Sequence, residues 1–456
     1  MRAVCALVLC LMFLFLSLPA PGASMFENAS EARLSNGLKV IMLENRLAPI
    51  VCFQLWYRAG ADRETTGKTG LANLVEHMMF KGIGAMSGEK FLATVHELGG
   101  SASGGTSHDY AWYCETLPSS RIGVAIDFEA NRMRNLKIDE SDVRTEKMVA
   151  LEERRMRIDD NPLAYLMEQL NAAAFQSEPY HWPVLGWTDD IGRLTSGDVR
   201  AFYSKYYGPA NAFIVVTGDF KKEELLRKLQ TAFGKIPEKA PANHYLLEDP
   251  PQRGERMVIV RRPARVGHLA LAWHVPNLQS DDGYVLEVIK AVLSYGKSSR
   301  LYEGLVRQEG VALETSAHYE LTSRNPGLFS IVASFLPEKD PGEVQRAIFD
   351  QLSLLGKTPV GTRELQKAKN LLEASFVFDH ESMMSLGKKL AEYEIAYDWA
   401  SISAYIPSIR SVTPQDVQRV AAKYFSAQTD TVGIMIPLAS PVKTPARAIP
   451  GAGAGH

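Results

Sequence analysis

Two stretches of this chain rhyme. TSGDVRAFYSKYY begins at Thr195, and TPQDVQRVAAKYF begins at Thr413, 218 residues later. At that offset Thr195, Asp198, Val199, Lys205 and Tyr206 meet Thr413, Asp416, Val417, Lys423 and Tyr424, and Tyr207 meets Phe425. Each stretch reads as a capped helix: Thr at the N-cap, Asp at the third helical position, then apolar residues at helical spacing. A β-rich run follows each, AFIVVTGDF from Ala212 and TVGIMIP from Thr431. The starts of the halves rhyme more weakly. GLKVIMLEN and PIVCFQLWYRAG predict two strands before the helix after Gly70, and RMVIVRRP and HLALAWHVPN predict two before the helix after Gly283. The reading is a duplication of about 210 residues. Each unit mixes paired strands with helices, so the class is α+β, in two homologous units. The expected limits are 25–240 and 257–438, with a linker at 241–256 in a stretch rich in Pro and charge (EKAPANHYLLEDPPQRGER, Glu238–Arg256). A length of 456 residues allows these two large units as readily as three domains of roughly 150 residues.

Composition narrows the class further. Hydrophobic residues are 46% and charged residues 22%, ordinary globular usage that excludes a disordered, collagen-like or polytopic membrane chain. Lys plus Arg is 50 against 52 for Asp plus Glu, so nucleic acid has no electrostatic claim as the main partner. The N-terminus reads as a secretory signal over residues 1–24. Arg2 is followed by an apolar run, Ala3 to Leu18, and then by Pro19 to Ser24, which holds helix breakers and small residues. The run is shorter than the roughly 20 apolar residues of a spanning helix, although an uncleaved anchor stays open as an alternative. It lacks the Arg-rich amphipathicity of a mitochondrial presequence. The mature protein is therefore expected to be exported, periplasmic or secreted. The tail, 439–456, is mostly Pro, Ala and Gly from Pro441 onward and is expected to be disordered.

Of the four cysteines, Cys5 and Cys10 fall in the signal. Cys52 and Cys114 lie in strand-like segments. An exported protein can pair them, but two buried free thiols acting as small hydrophobes are the preferred reading. No Cys-x-x-Cys pattern occurs, which removes thiolate zinc sites and thioredoxin-type chemistry.

The stretch that carries chemistry is GLANLVEHMMFKG, Gly70 to Gly82. Leu71, Leu74, Val75 and Met78 lie at helical spacing and predict a core face. Asn73, Glu76 and His77, at i, i+3 and i+4, share another face. A His one turn from a second ligand is workable metal geometry, and a Glu between them can orient a water. Glu146 and Glu153 fall seven apart in ESDVRTEKMVALEERRMRIDDNP, hence on one face of a second helix. Taken alone, Glu153 reads as a surface charge on a helix dense in both signs.

On these residues the chain resembles the inverted-zincin peptidases, the family of pitrilysin, insulinase and mitochondrial processing peptidase. Their pattern is His-x-x-Glu-His with a distal Glu ligand. Ser177 to Phe220 is similar to the family's middle block, Leu293 to Leu313 to its second-half block, and the likeness runs from about Ala32 to Pro437. The resemblance implies clam-like halves enclosing a chamber, and a zinc metalloendopeptidase with one zinc per chain. Glu76 would be the base, His77 and Glu153 the metal ligands, and Glu146 would orient the site. It also implies peptides or unfolded polypeptide as substrate, added as an extra strand to a sheet edge, and a homo- or heterodimer with a related chain.

The chain departs from the family pattern at the first histidine, where Asn73 stands. Zinc favours imidazole, thiolate and carboxylate, whereas a neutral amide oxygen suits calcium or magnesium. Asn73 is then a weak or water-bridged ligand. His96 and His108 are the nearest histidines in sequence, and the resemblance makes neither a ligand. The family's substrate-gripping Arg and Tyr align without gaps with Val306 and Leu313; Arg307, one residue off, serves if a gap is allowed. Ser103 to Thr106 also differ from the family's edge strand. Three readings follow: an active endopeptidase, a non-catalytic subunit completing the chamber of a zinc-bearing partner, and a peptide-holding protein that needs no metal.

Overall fold

The computed structural model describes residues 24–83, 86–238, 249–378 and 382–438. Residues 1–23 of the expected signal, linker residues 241–248 and the tail at 439–456 lie outside the described residues. In the first half, β1 (Ala29–Arg33), β2 (Lys39–Glu44) and β3 (Ile50–Tyr57) lead to α1 (Leu71–Met79). A short hairpin, β4 (Gly82–Ile83) and β5 (Met86–Ser87), precedes α2 (Gly88–Glu97), β6 (Ser101–Thr106) and β7 (Ala111–Pro118). Five helices follow: α3 (Ile122–Asn135), α4 (Glu140–Arg154), α5 (Pro162–Ala174), α6 (Thr188–Arg193) and α7 (Ser196–Tyr206). The half closes with β8 (Ala212–Gly218) and α8 (Lys222–Phe233). The second half runs β9 (Arg256–Pro263), β10 (Gly267–Val275), α9 (Asp281–Ser294), β11 (Glu314–His318) and β12 (Gly327–Phe335). Then come α10 (Pro341–Lys357), α11 (Thr362–Phe378), α12 (Met383–Ala396), α13 (Tyr405–Ser411), α14 (Pro414–Tyr424) and β13 (Thr431–Leu438).

The duplication is explicit in the strand order. The first sheet is β1-β2-β8-β3-β7-β6 and the second is β11-β12-β10-β13-β9. With β1 set aside, the second order is the first one reversed, element for element. Among the described residues, the one parallel pair in each sheet joins the unit's first repeated strand to its last, β2 with β8 and β9 with β13. The two rhyming helices, α7 and α14, both carry complete capping boxes: Thr195 with Asp198 and Thr413 with Asp416.

Both sheets are covered on two faces, so their central strands read as continuous apolar runs rather than alternating ones. On one face of the first sheet, α1, α3, α7 and α8 pack on Val40, Phe53, Leu55 and Ile214. Its other face is covered by α12, a helix of the second half, through Leu386, Leu390 and Ala391 near Trp56, Phe213 and Val215. In return α5, a helix of the first half, lies on the second sheet, with Leu166 and Leu170 against Val260, Ala270, Ala272 and Met435. Burying two such leucines contributes about 1.5–3 kcal/mol each. Gly387 lets α12 approach closely, because a Cβ there would sit 2.5 Å from Gln54 Nε2.

Polar contacts hold the seam. Gln54 Nε2 donates to Met384 O at 2.9 Å, Thr217 Oγ1 to Met383 O at 2.6 Å, and Lys39 Nζ to Glu394 at 2.9 Å. A second set clasps the loops. Arg324 of the second half reaches Asp62 at 2.8 Å and the Asp109 carbonyl at 2.6 Å, and Asn325 Nδ2 donates to Glu178 at 2.9 Å. Asp249 accepts from the backbone N–H groups of Gln176, Ser177 and Glu178, and Arg256 already belongs to β9.

Candidate active site

The site is built on α1 and α4. Gly70 precedes α1 at φ +82°, a left-handed conformation that favours glycine, and a Cβ there would meet Leu185 O at 2.7 Å. Glycine carries no side-chain cap, and the orphan N–H groups of α1 are met by Glu64. Its buried carboxylate accepts from Gly70 N at 2.9 Å and Ala72 N at 2.6 Å. Burial pushes the Glu64 carboxyl well above its ordinary range. Leu74, Val75 and Met78 are fully buried, which fixes the rotation of the helix. Asn73, Glu76 and His77 are thereby turned into one cleft.

α4 brings two carboxylates to His77. Its Nδ1 lies 3.0 Å from Glu146 Oε2 and its Nε2 3.2 Å from Glu153 Oε2. Asn73 Nδ2 lies 3.4 Å from the same Nε2. Lys81 pairs with Glu146 at 2.5 Å, and Arg157 with Glu153 at 3.1 Å. The end of α4 is pinned by Arg154, which donates to both oxygens of Glu168 at 2.8 and 2.9 Å and to Gly186 O at 2.7 Å. Beyond Arg154 the helix widens into a π-turn over Arg155–Asp159, a deformation common beside functional sites.

Electrostatics follow from this packing. Burial works to lower the His77 pKa, but the Glu153 hydrogen bond, Glu76 and the Glu146 hydrogen bond outweigh it and hold the imidazole above its usual value. The His77 hydrogen bond holds the Glu153 carboxyl below its usual value. Burial raises that of Glu76, which has no hydrogen-bond partner among the described residues.

A catalytic zinc takes three protein donors and one open position. One imidazole nitrogen and one carboxylate meet at His77 and Glu153, and the third place holds the neutral Asn73 amide. No group of three or more His, Cys, Asp and Glu that could hold a metal ion occurs among the described residues. His108 is spent on Trp182 O at 3.0 Å, and His96 lies on the exposed face of α2. The donor set does not fit a catalytic zinc.

The cleft is about 1170 Å³ and is lined by first-half residues alone. Gly104, Gly105 and Thr106 of the edge strand β6 form one wall. Met148, Val149 and Met156 form an apolar wall although they are 65, 46 and 58% exposed. Sequence reading missed this wall. Its signal was present, since large apolar residues sit on a face of α4 otherwise filled with charge. Arg307 is not brought to the cleft. Its side chain is 72% exposed, pairs with Glu303 at 3.0 Å, and lines neither this cavity nor the second one. At the aligned positions, Val306 packs on the second core and Leu313 is exposed. The second cavity, about 780 Å³, lies between the halves and includes His108, Tyr180, Lys290, His318 and Glu392.

Comparison with known proteins agrees with this architecture. Residues 39–187 match the family model described as insulinase (peptidase family M16), and residues 193–372 match the peptidase M16 inactive domain. The zinc protease PqqE of Helicobacter pylori is 29% identical over 427 residues, covering 91% of this chain and 96% of that protein. An uncharacterized zinc protease of Streptomyces coelicolor, SCO5738, is 26% identical, covering 85% of each. The crystal structure of a protease from Helicobacter pylori superposes with a TM-score of 0.85 at 27% identity, over 90% of this chain and 99% of that one. A peptidase M16 inactive domain structure from Pseudomonas fluorescens shares the fold, with a TM-score of 0.80 at 18% identity, over 91% of this chain and all of that one.

Proposed function

Because the chain belongs to the M16 (pitrilysin and insulinase) peptidase family, we propose that it serves as the non-catalytic subunit of an exported two-chain peptidase. It would bind peptide or unfolded polypeptide and complete the chamber of a related, zinc-bearing partner. One observation carries this reading: the third donor beside His77 and Glu153 is the Asn73 amide. Val306 and Leu313, at the positions aligned with the substrate-gripping pair, support it.

In this reading the cleft holds a peptide without cleaving it. The peptide backbone pairs with the free edge of β6, and its apolar side chains lie on Met148, Val149 and Met156. Glu146 and Glu153 hold His77 in place and raise its pKa, and Glu76 lines the cleft beside it. The test is a cleavage assay on unfolded polypeptide with the chain alone, with a related zinc-bearing chain, and with both. The expected result is turnover that rises when this chain joins the partner, and none from this chain alone.

The endopeptidase reading has one observation in its favour: Glu76, His77, Glu146 and Glu153 are all present and gathered in one place. Under that reading Glu76→Gln abolishes cleavage by the isolated chain. Metal-dependent cleavage by the isolated chain, lost in that variant, would replace the proposal.

A further inference from the structure

Cys52 on β3 and Cys114 on β7 project from the same face of the first sheet. The strands run antiparallel, with Cys52 opposite Thr116 and Gln54 opposite Cys114, so the cysteines are diagonal neighbours. Their sulfurs lie 3.0 Å apart. Both residues are buried, at 0 and 1% exposure. Closing from there to the bonded separation of about 2.05 Å needs roughly 1 Å of approach between the sulfurs.

The surroundings assign the pair a place in assembly. Gln54 Nε2 donates to Cys52 Sγ at 3.4 Å and to the Met384 carbonyl, while its Oε1 accepts from Trp56. Thr217, opposite Cys52 on the other neighbouring strand, donates to the Met383 carbonyl. The sulfurs therefore lie beneath the N-terminus of α12, the helix that the second half lays on the first sheet.

We propose that Cys52 and Cys114 are a disulfide-forming site, closed during folding before α12 docks and sealed beneath it afterwards. The oxidant is a low-molecular-weight disulfide, or the disulfide of an exchange protein. One cysteine thiolate attacks a sulfur of the oxidant and releases one oxidant thiol. The second cysteine thiolate then attacks the mixed disulfide at the first cysteine's sulfur and expels the other oxidant thiol. The two cysteine protons end on the two released thiols. Two electrons pass from the cysteine pair to the oxidant, whose single disulfide becomes two thiols.

The full chain is refolded in a mixture of reduced and oxidised glutathione, denatured, alkylated with iodoacetamide, digested and mapped by mass. The expected result is one cross-linked species joining the Cys52 and Cys114 peptides, neither carrying an alkyl group. Reduction in denaturant before alkylation should return both as alkylated peptides. Both cysteines alkylated after oxidative refolding, as fully as after refolding with reductant, would overturn the proposal. This readout uses the natural chain, so it does not depend on a cysteine variant folding. The seal has its own test. Dithiothreitol added to the native oxidised chain should leave the bridge intact under conditions that open it in urea, and equal rates in both would contradict closure beneath α12.

Discussion

An imidazole and a carboxylate at positions 77 and 153 leave a divalent cation one donor short of the three that hold zinc with an open position. The Asn73 amide stands one helical turn from His77, where a ring nitrogen would complete the set. Asn73→His should therefore raise zinc affinity by more than the roughly 10–100-fold that loss of an outer partner costs at such sites. Competition against a chromophoric chelator measures it, and an unchanged affinity would mean that position 73 is not what limits the site. Much of this chemistry was legible in the sequence, because Asn73, Glu76 and His77 are fixed by helical spacing, and Glu146 and Glu153 by two turns of another helix. Glu64 was not legible. It caps α1 from outside that helix, and nothing in a run of residues signals a carboxylate folded back over a glycine.

Helix ends are where short-range pattern and structure agree most closely. Thr195 with Asp198 and Thr413 with Asp416 bond each other across three residues, so sequence distance and spatial distance coincide. Thr195→Ala and Thr413→Ala should each lower stability by about 1 kcal/mol, the usual cost of losing an N-cap. Urea denaturation of the two variants tests this, and a large effect at one site with none at the other would show that the repeats do not share the device. The edge strand β6 was read as different from its family pattern, and packing supplies a reason. A Cβ on Gly104 would lie 2.8 Å from Phe80 Cζ. The exchange of α5 and α12 between the halves escaped the sequence. Each helix carries an apolar face, but which sheet receives it is decided by contacts 90 residues or more away in the chain.

At the scale of the whole molecule, the halves are joined by that exchange and by the loop clasp around Arg324. Facing one another there are Asp62, Arg63, Asp109, Glu178, Tyr180 and Arg324, with Asp249 behind Glu178. Burial raises the Glu178 pKa to about 7 and that of Asp62 to about 6. A carboxyl whose folded pKa is raised gives stability that is full below its unfolded pKa, about 4.3 for Glu, and lost as pH rises through the folded value. The stability of the natural chain relative to Glu178→Gln should thus fall between pH 5 and pH 7.5. Urea midpoints at those two pH values measure it, and a relative gain on going to pH 7.5 would contradict the assigned cause.

The central claim is that this chain keeps the peptidase fold and its cleft without a catalytic zinc. Elemental analysis of the purified chain, dialysed against a weak chelator, tests it most directly. Essentially no zinc per chain is the result expected from a site with Asn73 as third donor. About one zinc per chain, retained through dialysis, would contradict it.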